Sequence, residues 1–277
     1  MDFRLPSGID HLPRHKERLV AACRMGLTEH DVVGMAIAGS FVGGAPDSYS
    51  DLDLRVVLAN GSFGRVFPRR EELARACGPL IAAFTGDHVG EPHLLITLYE
   101  DLMHVDFLFT ELAEAGDKNE GRQVLVLWQR RNDVTEALSK SYVADPVAEL
   151  TYMEARIWTW AWYIQCKILR GELWEAVSAL NLVRDVVLFR LLALSHEQRY
   201  RGARFAEQLV GEHAASIERT YGTFDKEFLI DAMRTTVRVY RELADPLLAR
   251  YGVEPASKAR ATVSLALEEG LSLSIQP

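Results

Sequence analysis

Three aspartates carry the chemical interest of this 277-residue chain. Asp51 and Asp53 stand one residue apart in "SYSDLDLRVVLA", and Asp106 sits inside the apolar run "HVDFLF". Residues i and i+2 of a strand project to one face. At the head of a strand, Asp51 and Asp53 would therefore present two carboxylates side by side. Two bare anions so placed repel, and one pKa is pushed up. A divalent cation removes the conflict, and hard cations such as Mg²⁺ prefer carboxylate oxygens. Asp106, flanked by Val105 and Phe107, is costly to bury unless something pairs with it. If its strand lies beside that of Asp53, the cluster has three carboxylates.

Upstream, Gly39 and Ser40 close the apolar run "VVGMAIAG". A glycine lets the backbone approach a ligand closely, and Ser40 offers a hydroxyl and an N–H to a phosphate. If "FVGG" opens a short helix, its free N–H groups add to an anion site. One edge of the sheet would then hold a triphosphate, and the opposite lip the metals that neutralise it.

The elements that must position these groups are legible as patterns. Residues 13–26 have helical spacing and end in Gly26, residues 32–39 and 52–59 read as strands, and residues 68–84 read as a helix opened by Pro68 and acidic residues. Residues 93–100 and 103–110 are short strands two residues apart, which predicts a hairpin. Residues 122–128 offer one more strand. After about residue 140 the pattern becomes helical throughout, in segments 145–171, 173–194, 203–222, 225–252 and 256–270, several closed by glycine. The expectation is an α+β chain: a mixed-sheet domain over 1–140, then an all-helical bundle over 141–277.

The motif "AGS", ten residues, "DLD", then "VDF" resembles the nucleotidyltransferase superfamily that shares the DNA polymerase β catalytic core. The stretch "GSFVGGAPDSYSDLDL" looks most like the lincosamide nucleotidyltransferases, and more loosely like the aminoglycoside adenylyltransferases. "LRGELWEAVSALNLVRD" and the closing helices are similar to the helical domain of the same proteins. The resemblance implies ATP or another NTP, two Mg²⁺ ions, and transfer of a nucleoside monophosphate to a hydroxyl with release of pyrophosphate. Asp51 and Asp53 would hold both metals, with Gly39 and Ser40 on the nucleotide. Asp106 would bind one metal or serve as the base. The lincosamide enzymes carry a Glu at the matching position, one methylene longer. A homodimer is expected on the resemblance alone.

Other polar residues have blander readings. Asp47 reads as a turn residue and Ser50 as a local cap. His88, His93 and His104 lack zinc-helix spacing and read as surface or packing residues. Trp158 and Trp162 share a helical face, as core or as a wall of an acceptor pocket. Glu149 and Glu154 read as solvated charges, either of which could face that pocket. Arg184 partners a buried acid or contacts a triphosphate. The net charge of −8 disfavours duplex DNA or an anionic membrane as partner, and three dispersed cysteines suit a reducing cytoplasm. The N-terminus shows no signal peptide, and "DVVLFRLLAL" is too short to span a bilayer. The leading expectation is an antibiotic-modifying enzyme. The alternatives are a toxin-type enzyme that nucleotidylates a protein or tRNA, and a non-catalytic nucleotide-binding module.

Overall fold

A computed structural model of the chain describes residues 3–43, 46–119, 122–139, 145–204 and 206–269. It divides into two compact units, Met1–Val143 and Ala144–Pro277.

The first unit is built on one mixed six-stranded sheet. Its strands are β1 (Val32–Ile37), β2 (Leu52–Leu58), β3 (Leu80–Gly86), β4 (Glu91–Tyr99), β5 (His104–Glu111) and β6 (Leu125–Gln129), in the spatial order β3-β4-β5-β2-β1-β6. Only the central β2–β5 pair is parallel; the other neighbours run antiparallel. Alternation sets the two faces of β2 and β5. Leu52, Leu54, Val56 and Leu58 join Val105, Phe107 and Phe109 in the main core, with Leu19, Ala22 and Cys23 of helix α1 (Pro13–Thr28). The intervening residues face the other way. There Val57 packs with Ala115 of α4 (Ala115–Asn119) and with Val134 and Leu138 of α5 (Asp133–Leu138). Two smaller helices, α2 (Ser40–Gly43) and α3 (Arg70–Arg75), precede these in the chain.

The predicted helix over 68–84 is a correction. The helix stops at Arg75, and Leu80–Gly86 is an edge strand paired with β4. Gly78, at φ +148°, and Pro79 end the helix. The β4–β5 hairpin forms, but four residues join its strands, with Leu102 at positive φ.

The second unit is helical, with no strand among its described residues. Its long helices are α6 (Pro146–Leu169), α7 (Leu173–Val183), α8 (Lys226–Tyr251) and α9 (Ser257–Glu269). Asp145 caps α6 by accepting from the Ala148 N–H at 3.0 Å, and Asp225 caps α8 by accepting from Glu227 and Phe228. Helix α7 runs on through a wider π-helical stretch, Arg184–Phe189, into Arg190–Ser195. The predicted helix over 203–222 is broken into short turns, including Ala206–Leu209 and Ala214–Arg219. Among the described residues, no helix is long and apolar enough to cross a membrane.

Candidate active site

The register of the parallel pair puts Asp53 directly beside Asp106. Both occupy the face opposite the core, near the start of their strands, because their neighbours at odd spacing are the buried Leu52, Leu54, Val105 and Phe107. Asp51 stands immediately before β2. Across the sheet, the Ala38 N–H donates to the Asp53 carbonyl at 2.9 Å, which brings Gly39 alongside the Asp53 side chain. Gly39 has φ +72°, and a Cβ built on it would overlap Asp53 Oδ2 and come within 3.3 Å of its Cγ. The missing side chain is therefore a requirement of the site. Ser40 begins the single helical turn α2, and its hydroxyl is buried with no hydrogen-bond partner among the described residues.

His104 lies against Asp106. It lies two residues before Asp106 on β5, with Nε2 3.1 Å from Asp106 Oδ1. The contact is close but poorly directed, so that buried oxygen lacks a well-formed hydrogen bond. The imidazole is held above its ordinary 6.5 chiefly by bonding to Asp106. Burial opposes this, and the charges of Asp106, Asp51 and Asp53 add to it. The field of all three carboxylates thus reaches one ring. His104 read as a surface or packing residue from the sequence; its i, i+2 relation to Asp106 on a strand was the available signal. His93 does pack, 4.4 Å from the Phe63 ring.

The oxygen-only donor set suits Mg²⁺, as do the close backbone at Gly39 and the unpartnered hydroxyl of Ser40. Among the described residues, no three His, Cys, Asp or Glu side chains are gathered closely enough to hold a metal on their own. Mg²⁺ does not require that: it is bound through one or two carboxylates plus substrate phosphates and water.

The other candidates fall elsewhere. Asp47 Oδ1 accepts from the Tyr49 N–H at 2.9 Å and Ser50 Oγ from the Asp47 N–H at 3.0 Å, so both fold the loop ahead of Asp51. Trp158 is buried, with Nε1 donating to Glu154 Oε1 at 3.0 Å. Glu154 corrects its expectation: it is no solvated charge but a buried acceptor, also bonded by Tyr240 and the Ala256 N–H (2.9 Å). Glu149 lies 3.7 Å from Arg190. Buried Arg184 donates to Thr220 and, at 2.7 Å, to Asn181 Oδ1, and lies 3.4 Å over the Tyr221 ring; none of these partners is a carboxylate. A cavity of about 790 Å³ opens in the helical unit between Arg219, Arg238, Arg241 and Ser264, and none of the three aspartates lines it.

Solved structures similar to the chain include the following two. One is an aminoglycoside 6-adenyltransferase from Bacillus subtilis, at 12% identity, covering 92% of this chain and 96% of that one, with a TM-score of 0.43. The other is a nucleotidyltransferase-like protein from Exiguobacterium sibiricum, at 10% identity, covering 92% and 89%, with a TM-score of 0.39. No protein-family model matches the sequence, and no curated protein matches it.

Proposed function

We propose that this chain is a nucleotidyltransferase that moves a nucleoside monophosphate, AMP foremost, from an NTP to a hydroxyl of a small antibiotic-like molecule of the aminoglycoside or lincosamide class. The observation that carries it is the in-register pairing of Asp53 with Asp106 on adjacent parallel strands, with Gly39 pressed against Asp53. Asp51 and Asp53 would hold two Mg²⁺ ions, with Asp106 completing the set or taking the acceptor hydroxyl's proton. Bound there, Mg²⁺ supplies charge neutralisation for the phosphates and a clamp on the attacking and leaving oxygens. The chain's own part is positioning. The Ala38 N–H fixes the Asp53 backbone, Gly39 leaves room for its carboxylate, and the Ser40 hydroxyl is free to donate to a phosphate. The partners are an NTP and the acceptor, and the assembly a homodimer.

The test incubates the full chain with labelled ATP, GTP or CTP, Mg²⁺ and a panel of antibiotics. Label should pass to an acceptor with release of pyrophosphate. Removing one carboxylate that holds the metals should cost several kcal/mol of transition-state stabilisation, so Asp53→Ala should slow transfer by about 10³-fold or more. Absence of any labelled acceptor, or an Asp53→Ala variant as active as the parent, would overturn the proposal.

A further inference from the structure

His15 belongs to the opening turn of α1, far from the aspartates in sequence, and is only 3% exposed. Its Nε2 lies 2.8 Å from the backbone carbonyl of Ser50, the residue immediately before Asp51. A carbonyl only accepts, so this nitrogen carries the proton. The same ring lies 5.6 Å from that of Phe41, which follows Ser40 and is itself buried. One side chain therefore touches both limbs of the site, the Gly39–Phe41 turn and the loop that delivers Asp51.

The loop has little else to hold it. Among the described residues its other hydrogen bonds are internal: Tyr49 N–H to Asp47 Oδ1, Asp47 N–H to Ser50 Oγ, Ser50 Oγ to Asp47 Oδ1 at 3.3 Å, and Ser50 N–H to the Asp47 carbonyl at 3.2 Å. Those bonds give the loop a shape but do not fix where it sits against the sheet. The pairing of Leu52 with Val105 holds its end at the sheet, and the bond to His15 ties the Ser50 carbonyl to α1, one residue from the Asp51 carboxylate.

We infer that His15 is a positioning residue for the Asp51–Asp53 cation site, acting through the Ser50 carbonyl; the inference rests on the metal-binding function proposed above. A side chain that orients a ligand-bearing group typically contributes 10–100-fold to metal affinity when removed.

The test measures Mn²⁺ binding to the full chain by water-proton relaxation, with a saturating ATP analogue that cannot be cleaved between its α- and β-phosphates, because the proposed site is completed by substrate phosphates. Four proteins are compared: the parent, Asp53→Asn, His15→Phe, which keeps the ring and loses the donor, and His15→Gln, whose amide nitrogen reaches the Nε2 position. Asp53→Asn and His15→Phe should both weaken binding, the latter by about 10-fold, and His15→Gln should recover most of it. Amide exchange over residues 49–53 should quicken in His15→Phe and not in His15→Gln. If His15→Phe does not fold, His15→Asn, whose amide reaches the Nδ1 position instead, should show the same weakening. Parental Mn²⁺ affinity in His15→Phe, with Asp53→Asn weakened, overturns the positioning role and leaves the metal site standing. A parent that binds no Mn²⁺, or an Asp53→Asn variant that binds like the parent, overturns the site and the positioning role together.

Discussion

Gly39→Ala separates two effects that usually travel together, backbone strain and displacement of a functional group. At φ +72° an alanine enters the left-handed region, which costs about 1–2 kcal/mol. For a unit of this size that is a drop in Tm of about 2–4 °C per kcal/mol. The new Cβ would also overlap Asp53 Oδ2 and crowd its Cγ at 3.3 Å. The Asp53 carboxylate is the movable partner, and it must shift by on the order of 1 Å, a misplacement worth about 10²-fold in rate. Gly61 supplies the control. It has φ +77°, and a Cβ placed on it would meet nothing within 4 Å, so Gly61→Ala carries the strain without the collision. The two variants should lose similar Tm in thermal unfolding, while only Gly39→Ala loses nucleotidyl transfer and Mn²⁺ affinity. Parental transfer in Gly39→Ala, or an equal loss in Gly61→Ala, would refute the assignment of Gly39 as the wall behind Asp53.

Glu154 should make stability depend on pH. Burial raises its pKa, but bonds from Tyr240, Trp158 and the Ala256 N–H, with the Arg260 charge, outweigh this and hold it below the ordinary 4.5. A depressed carboxylate stabilises the fold above about pH 4.5 and loses that contribution as pH falls through its folded value. Glu154→Gln should therefore cost about 3 kcal/mol at pH 7, and the gap from the parent should narrow in urea titrations below pH 4.5. An unchanged gap would sink the idea. Arg184→Gln should destabilise the helical unit by about 2 kcal/mol, since it strips charged donors from Thr220 and Asn181. Near-parental kcat on the folded protein should accompany that loss, and a selective rise in KM for the NTP would favour a phosphate contact instead.

The strands around the site were legible because their two faces differ in chemistry. Alternation over Leu52–Leu58 and across Val105, Asp106 and Phe107 marks one apolar and one polar face. Pairing between β2 and β5 was not legible, because it joins residues more than fifty apart and depends on the whole sheet order. Leu80–Gly86 misled for a related reason. Its alanines favour a helix locally, but pairing with β4 decides the conformation, and the Gly78-Pro79 pair marks the break between helix and strand. The contacts of His15 and the burial of Glu154, which reads as a solvated charge, are not legible because a buried polar group is defined by its partners. Ser50 lies 35 residues from His15 and Tyr240 lies 86 from Glu154, distances that no periodicity encodes.

Core and carboxylates are specified by the same register, and this ties the stability of the first unit to its chemistry. Shifting β2 by one residue against β5 would turn Leu52, Leu54, Val56 and Leu58 out of the core and turn Asp53 in. Fully burying an aliphatic side chain of this size is worth about 1.5–3 kcal/mol, so four of them outweigh by several-fold the repulsion between two partly exposed carboxylates, which is of order 1 kcal/mol in water at about 4 Å. The sheet therefore tolerates Asp53 beside Asp106 without any need for them to attract. What remains after folding is a pair of carboxylates side by side with His104 against Asp106, and under the function proposed above a bound cation would neutralise them.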